Sequence, residues 1–418
     1  MQIYKVVFLF YSSYFVISMM GNIFIDYDKI SFRTIIIYFL YMILFTLSAY
    51  FMNKKTKLSA YFTNKENIFT ALSRKIKIFN VIGTSKILIS PNIVIIPWLI
   101  LLIITISYTW GIQIQSYGGI KFIIKNAYTI RESSIGSKAD IVNPLIMYFN
   151  NTGTALLTII MCMFIKTNNK KYLLLSGLAL ILIALTDLLS FGRISLIYSV
   201  FIIVSLFLVF NIRLKLSHFL MLFSVFVITF IPRLIRGSFD NFQGTVSRYA
   251  PYFNFHLPSF LNPVISYFIY YFSSIFALDD YLSEYFENIG SNNLTYGEKM
   301  FTPVFNIFSR IFNFNRVNLI EPSAHIPFDY NIFSIIKDII GDFGLVGLII
   351  FPVIFGVIFG YIFKKQTFFY NCLKVYLLAW LFYTPIYNAF SFGAFFISCG
   401  LLLIFSLLFK MRRIDEKG

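Results

Sequence analysis

The chain has 418 residues, of which 58% are apolar, 20% are aromatic and 13% are charged, and its formal net charge is +17. A soluble chain carries roughly a quarter charged residues, so this composition excludes a soluble globular protein, a disordered chain and a disulfide-stabilised scaffold. It predicts a membrane protein with many spans.

Apolar stretches of about 17–25 residues, the length that crosses a bilayer as a helix, recur along the chain. They predict an all-α polytopic membrane protein in which residues 1–418 form a single integral membrane domain. The ten predicted spans are 4–25, 32–51, 91–112, 142–165, 172–191, 194–211, 216–232, 343–363, 372–390 and 393–409.

One further apolar stretch, 264–278, has 15 residues. That length is short for a span and suits a re-entrant or interfacial helix. If this stretch belonged to an extra pair of spans, the chain would have twelve spans and the sidedness of every other loop would be unchanged.

The positive charge follows the predicted topology. The segment 52–90 carries eight basic residues and one acidic residue, so the positive-inside rule makes it cytoplasmic. Alternation then puts 21 basic and three acidic residues on that side, a charge of +18, and 14 basic and 15 acidic residues on the other side, a charge of −1. We predict a multi-pass protein with both termini in the cytoplasm and no nucleic-acid partner.

Two predicted outer loops are long, a smaller one at 113–141 and a large one at 233–342. The large loop has about 110 residues, whereas connections between packed helices usually have 2–8. Long loops of this kind are commonly functional or disordered, and the aromatic content of this one argues against disorder. We therefore expect short helices and the functional site in the large loop.

Familiar cofactor motifs are missing from the sequence, including the Walker-type phosphate loop, GxGxxG, HExxH and any Cys/His cluster. We predict that the protein uses no cofactor and no metal. Four carboxylates, Asp279, Asp280, Glu284 and Glu287, could hold a divalent cation through oxygen ligands. A solvated helix face is the interpretation we favour for them.

Four arginines fall at or near predicted outer ends of spans: Arg193, Arg233, Arg236 and Arg248. Arginine binds phosphate through a bidentate fork and stays charged in an apolar setting. A single arginine at a helix end often only extends toward the membrane surface. The positive-inside rule disfavours arginines on the outer side, so the presence of all four there indicates a phosphate-binding site.

A candidate proton acceptor lies shortly before the span at 343–363. His325 is a candidate because a neutral imidazole takes a proton readily near pH 7. Glu321, Asp329 and Asp338 are rival bases, and His325 could equally serve only as a hydrogen-bonding loop residue.

Three short patterns follow one another over about 160 residues. They are Phe191-Gly192-Arg193-Ile194-Ser195, then Arg233 followed after ten residues by Gly244, then Asn331-Ile332-Phe333-Ser334 with Lys337-Asp338 and Asp342-Phe343-Gly344-Leu345-Val346-Gly347. In this order, and with spans along the whole chain, they resemble the O-antigen polymerase (oligosaccharide repeat-unit polymerase) family of bacterial inner membranes.

The resemblance implies a glycosyltransferase C-like membrane fold and a metal-independent reaction at the periplasmic face of the cell inner membrane. A growing glycan would move from undecaprenyl diphosphate onto a new lipid-linked repeat unit. The implied partners are undecaprenyl diphosphate-linked oligosaccharides, with a chain-length regulator and a flippase in the same membrane. Arg193, Arg233, Arg236 and Arg248 would bind the carrier diphosphates, and His325 or Asp338 would accept the proton of the acceptor hydroxyl.

Two alternatives stay open, an O-antigen ligase and a lipid-linked oligosaccharide flippase or transporter. The ligase family places a His close before its Gly-x-x-Gly helix, where this chain has Asn331 and its His325 is farther away. A transporter calls for internal repeats and ionisable groups at mid-membrane, and Asp187 is nearly the only such group in a predicted span. Both comparisons favour the polymerase.

Overall fold

The structure is a computed structural model that describes residues 3–53, 87–127, 130, 144–189, 192, 194–212, 215–229, 249–255, 258, 261–288, 294–312 and 323–411. The chain is mainly helical. In chain order the helices are α1 (Ile3–Met19), α2 (Phe32–Asn53), α3 (Pro91–Ser116), α4 (Ile120–Lys125), α5 (Pro144–Asn150), α6 (Gly153–Thr167), α7 (Lys170–Leu189), α8 (Ile194–Val209), α9 (Leu216–Ile228), α10 (Asn262–Phe272), α11 (Ser274–Glu287), α12 (Thr302–Phe312), α13 (Ile335–Lys364), α14 (Phe368–Tyr383) and α15 (Gly393–Leu408).

The strands are short and lie at the ends of the helices. β1 (Ile87–Ile89) pairs in parallel with β4 (Phe409–Met411), and β2 (Ala324–His325) pairs antiparallel with β3 (Asp329–Tyr330). Each pair forms a separate two-stranded sheet.

The described helices confirm an all-α chain of membrane-protein character. Six segments are long and apolar enough to cross a membrane: Ile3–Ile23, Phe32–Asn53, Pro91–Ser116, Leu145–Thr167, Lys170–Leu189 and Ile335–Lys364. The shorter α8, α14 and α15 are also apolar. Many of their large apolar side chains face outward, such as Ile100 and Ile104 on α3, as expected of a surface in contact with lipid. The number of ten spans stays a prediction.

Several of the described connections between helices contact one another, at both ends of the helices. At one end, Tyr27 shares a hydrogen bond of 2.6 Å with Ser273, and Asn388 bonds to Asp338. Tyr27, Ser273 and Asp338 belong to predicted outer loops, and Asn388 lies near the outer end of the predicted span 372–390. At the other end β1 pairs with β4, and both strands belong to predicted cytoplasmic segments. The alternation of the loops and the compartment that each end faces stay predictions.

The closest helix packing joins α2 and α13. A Cβ on Gly356 would lie 2.5 Å from the carbonyl oxygen of Phe45, and one on Gly360 would lie 2.9 Å from the carbonyl oxygen of Ala49. These glycines are four residues apart and therefore share one face of α13. Small residues at this spacing let two membrane helices bring their backbones together.

The stretch 264–278 is divided between α10 and α11, which are separated at Ser273. Helices of 11 and 14 residues rise about 16 and 21 Å at 1.5 Å per residue, which is short of a hydrocarbon core of about 30 Å. Both pack against α1, where the Tyr14 hydroxyl donates a hydrogen bond of 2.6 Å to the carbonyl oxygen of Tyr271. Among the described residues this stretch adds no helix long enough to span.

Helix α13 begins at Ile335, eight residues before the predicted span at 343–363, and it is interrupted at Gly344. The backbone there has φ +63° and ψ −161°, a conformation that is essentially restricted to glycine. α13 therefore consists of a short segment on the side predicted to be outer (the outer segment, 335–343) and a longer apolar segment of membrane-spanning length (the membrane segment) that starts after Gly344.

Candidate functional site

A polar pocket of about 320 Å³ lies at the end of the bundle where the predicted outer segments meet. It is formed by the turn before α12, the chain leading into α13, the outer segment of α13 and the turn between α14 and α15. Its lining residues are Lys299, Thr302, Asn331, Phe333, Lys337, Asp338, Tyr387, Asn388, Ser391 and Phe392. The pocket thus combines two lysines, one carboxylate, several neutral polar groups and three aromatic rings.

Asp338 is oriented in the pocket by a buried amide. The Nδ2 of Asn388 donates to Asp338 Oδ2 at 2.6 Å and to the carbonyl oxygen of Met300 at 3.3 Å. The oxygen of this amide is also hydrogen-bonded, since Asn388 Oδ1 accepts from the backbone N–H of Phe390 at 3.0 Å. With its oxygen used by a backbone donor, Asn388 must present its NH₂ group to Asp338. The carboxylate is held in one orientation as a result.

Lys337 is the more buried of the two pocket lysines, with 4% of its surface exposed. Its Nζ lies 3.3 Å from the ring centroid of Phe333 and 5.4 Å from that of Tyr281. An ammonium group within about 6 Å of a ring face is attracted to the ring quadrupole. The two aromatic rings therefore position the Lys337 Nζ at the wall of the pocket.

Lys299 is positioned through a different carboxylate, Asp342, which is fully buried. Asp342 accepts from the backbone N–H groups of Lys299 at 3.1 Å and Met300 at 2.7 Å, and from the hydroxyl of Thr295. The backbone of Asp342 accepts a further bond from Tyr296 N at 3.1 Å. These bonds attach the turn 294–300 to α13 and bring Lys299 to the pocket.

Two glycines flank Asp342 and complete this arrangement. A Cβ on Gly341 would lie 3.0 Å from Lys299 Nζ and 3.1 Å from its Cδ, so the absence of a side chain lets the lysine cross α13. Gly344 then breaks the helix. The Gly341-Asp342-Phe343-Gly344 sequence thus makes room for the lysine, anchors its turn and ends the outer helical segment.

A smaller cavity of about 30 Å³ adjoins the polar pocket, because Phe392 lines both. Ile194 and Ser195, the last two residues of the first sequence pattern, line this cavity. Their turn is held by Asp187, whose Oδ2 accepts from the N–H of Leu196 at 2.8 Å. The first and third sequence patterns are therefore neighbours in the fold.

Of the six predicted site residues, Asp338 lines the polar pocket, whereas His325 does not. The His325 side chain is 74% exposed, with its Nδ1 3.3 Å from Asp329 Oδ1 and its backbone N–H 3.3 Å from Asp280 Oδ2. The rival base Glu321 and the arginines lie outside the described residues; these arginines are Arg193, Arg233, Arg236 and Arg248.

The hairpin that carries His325 is fixed by its second strand. The Tyr330 hydroxyl donates to the carbonyl oxygen of Tyr270 at 2.7 Å, and Tyr330 is almost fully buried. Burial raises the pKa of Tyr330 well above its usual value, and it raises the pKa of nearby Tyr27 in the same way. Both side chains therefore act as neutral hydrogen-bonding groups.

The carboxylates considered for a divalent cation are partly engaged in the fold. Asp279 Oδ1 accepts from Ser31 N at 3.1 Å, from Ser31 Oγ at 2.6 Å and from Thr34 Oγ1 at 2.5 Å, which fixes α11 to the start of α2. Glu284 and Glu287 are exposed. Within the described ranges no group of three or more His, Cys, Asp or Glu side chains is placed to hold a metal ion.

Nine of the ten lining residues were not predicted as site residues, and the three that carry a charge or orient Asp338 are Lys299, Lys337 and Asn388. Lys337 had a visible signal, since it stands beside Asp338 in the third pattern. Lys299 and Asn388 lie 39 residues before and 50 residues after Asp338, so folding alone brings them to it. Their sequence neighbourhoods carry no comparable signal.

Comparisons of the chain with protein-family models, with curated proteins and with solved structures find no match. The class of this protein is therefore assigned from its fold and its candidate site. This is a mainly helical membrane protein with a polar pocket, containing lysines and an oriented carboxylate, at one end of its helices.

Proposed function

We propose that the protein is a surface-polysaccharide polymerase, a glycosyltransferase that elongates O-antigen-like glycans on undecaprenyl diphosphate. It would act at the periplasmic face of a bacterial inner membrane, with both termini in the cytoplasm. The observation that carries this proposal is the polar pocket, in which Asp338 is oriented by Asn388 and accompanied by Lys299 and Lys337.

The proposed reaction joins an acceptor sugar to a donor glycan. A hydroxyl oxygen of the carrier-linked repeat unit attacks the anomeric carbon of the growing glycan, and its proton passes to Asp338. The bond from that carbon to the carrier diphosphate breaks, and its electron pair leaves with the diphosphate. Because the donor is already activated, the step consumes no nucleotide, which fits a sequence without an ATP-binding motif.

The charges of the pocket suit these roles. Cations fixed where negative charge develops stabilise a leaving group, and removing one such group commonly lowers the rate by about 10²–10³. Lys337 and Lys299 would stabilise the departing diphosphate, together with any of the predicted arginines that reach it, and this scheme needs no metal ion. Phe333, Tyr387 and Phe392 offer ring faces against which sugars could pack.

Asp338 suits the role of base better than His325. A general base must come within hydrogen-bond reach of the proton that it removes. Asp338 lines the same pocket as both lysines, whereas His325 is exposed on a hairpin outside the pocket lining.

The first experiment is deletion of the gene followed by gel analysis of surface lipopolysaccharide. A polymerase mutant would lose the long-chain ladder and keep lipid A core bearing a single repeat unit. Loss of every repeat unit would refute polymerisation and indicate a ligase or a flippase, because both are needed for the first unit. An unchanged ladder would refute all three activities.

The second experiment complements the deletion with variants at matched membrane levels. Asp338→Asn should restore no ladder, whereas Glu287→Gln, an exposed acid at the same end of the bundle, should restore it fully. Lys299→Gln should shorten or abolish the ladder. Its control is Lys121→Gln, at an exposed lysine of α4, which should leave the ladder intact. A full ladder with Asp338→Asn and none with His325→Ala would reassign the base to His325.

A further inference from the structure

Helix α12 begins at the polar pocket, where Thr302 lines the wall and Lys299 precedes it. The start of the helix is anchored through Phe301, whose ring lies 5.7 Å from Phe390 and 6.0 Å from Phe396. These contacts fix the beginning of α12 on the turn between α14 and α15. The helix then leads away from the pocket.

One face of α12 is apolar and uncovered by the rest of the described chain. Ile307, Phe308, Ile311 and Phe312 are 53%, 46%, 64% and 67% exposed. Spacings of one, four and five residues put these side chains on the same side of a helix. Phe308 and Phe312 stack on each other, with ring centroids 5.9 Å apart. The helix therefore presents a continuous apolar surface.

This apolar face is too short to belong to a span. Eleven helical residues rise about 16 Å, roughly half of the hydrocarbon thickness. A short helix with one strongly apolar face suits the interface between headgroups and acyl chains, where that face is buried to about 5–10 Å.

The depth at which α12 begins, relative to the membrane-length helix α13, indicates what covers its apolar face. The ring of Phe301 lies 6.3 Å from Phe351 in the membrane segment of α13. On that segment Val346 and Ile349, just beyond the break at Gly344, are 63% and 56% exposed. Their place at the start of a membrane-length helix assigns them to the outer leaflet. Val346 and Ile349 are five and two residues from Phe351 along the helix, so the start of α12 lies at about the same depth as these lipid-facing side chains.

From this geometry we propose that α12 is an interfacial helix that lies in the outer surface of the bilayer and holds the polar pocket at headgroup level. The covering partner is the membrane itself. This inference rests on the placement of α12 and does not require the proposed reaction. With α12 at this depth, a substrate with a lipid tail would have its polar head beside the pocket while its tail stays in the membrane.

Depth-dependent fluorescence quenching of the full-length protein in lipid nanodiscs tests the proposal. Single cysteines at Ile311 and Phe308 would carry a small fluorophore, with Ile349 as the lipid-facing control and Ser283, exposed on α11, as the water-facing control. The native cysteines would first be replaced by alanine; they are Cys162, Cys372 and Cys399. Iodide serves as the aqueous quencher, and lipids brominated near the headgroup and near the chain end serve as membrane quenchers.

We expect labels at Ile311 and Phe308 to be quenched at least threefold more by shallow than by deep brominated lipids, and to be protected from iodide. A label at Ile311 that responds to iodide as strongly as the label at Ser283 would overturn the proposal. Protection from all three quenchers would overturn it too, since it would mean that protein covers the face. Labels on exposed side chains leave the core intact, and a single gel-filtration peak for each variant verifies folding.

Discussion

The anchoring of Lys299 through Asp342 predicts a local and measurable effect of Asp342→Asn. The substitution keeps the size of the side chain and replaces one acceptor oxygen by an NH₂ group. Whichever way the new amide is turned, this NH₂ group faces a donor, either Met300 N or the Lys299 N and Thr295 hydroxyl pair. The turn 294–300 should therefore separate from α13 more often.

The size of the effect follows from the bonds that are lost. A hydrogen bond to a charged group contributes about 1.5–3 kcal/mol, and an unsatisfied buried donor costs about 1–3 kcal/mol. Because Asp342 is fully buried, water cannot replace the lost acceptor. A net cost of about 2–4 kcal/mol corresponds to an increase of roughly 30- to 1,000-fold in opening of the turn.

Hydrogen exchange of the purified protein, read by mass spectrometry, measures this opening. Protection of peptides that contain Lys299 and Met300 should fall by that factor, while peptides from α14 should keep their protection. Glu287→Gln is the matched control, since this acid is exposed on α11. Protection of 294–300 within threefold of the unmodified protein would refute the anchoring, and a loss spread equally over α14 would indicate global destabilisation instead.

Three further predictions concern separate parts of the molecule. Asn388→Leu removes the hydrogen bond from Asn388 to the Asp338 carboxylate and should lower the kcat of glycan transfer by about 10- to 100-fold with a smaller change in KM, measured with lipid-linked substrate. Gly356→Ala places a methyl group 2.5 Å from the Phe45 carbonyl oxygen and should cost about 1–3 kcal/mol, seen as a lower Tm. Since burial raises the pKa of Tyr330, the folded state binds its proton more tightly than the unfolded state. The contribution of Tyr330 to stability should be constant up to about pH 10 and be lost above it, so the alkaline fall in stability should be smaller in Tyr330→Phe.

Each of these predictions has its own control and contradicting result. A kcat unchanged in Asn388→Leu would mean that orientation of Asp338 is unimportant. Gly177→Ala is the helical control for Gly356→Ala, because a Cβ at Gly177 would meet no atom within 4 Å. Equal Tm values for the two glycine variants would contradict close packing of α2 on α13. An identical alkaline decline in Tyr330→Phe would show that other groups cause it.

Hydropathy was sufficient to predict the class of fold. A run of about twenty apolar residues predicts a membrane helix, because in lipid the backbone N–H and C=O groups must find their hydrogen-bond partners within the helix. Every predicted span overlaps a helix of the structure. The predicted span starts at Phe343, after three charged residues, but the break in α13 was not predicted because only the backbone angles at Gly344 reveal the kink.

The candidate site was predictable in part. Asp338 and the pattern around it could be found because a charged pair stands immediately before an apolar run. Lys299 and Asn388 could not, because their roles depend on a turn attached by Asp342 and on an amide whose oxygen is already engaged by a backbone N–H. Such roles arise from contacts between distant segments, and residue type alone does not display them.

The backbone at Gly344 also has a consequence for recognising distant relatives. Because glycine alone adopts this conformation readily, position 344 should not accept another residue. The apolar residues of the spans, in contrast, can be substituted by one another freely. Relatives that keep this architecture should therefore share a short signature, Lys-Asp followed after two residues by Gly-Asp-x-Gly, as in Lys337 to Gly344. That signature should persist in chains whose membrane helices have diverged beyond any detectable likeness.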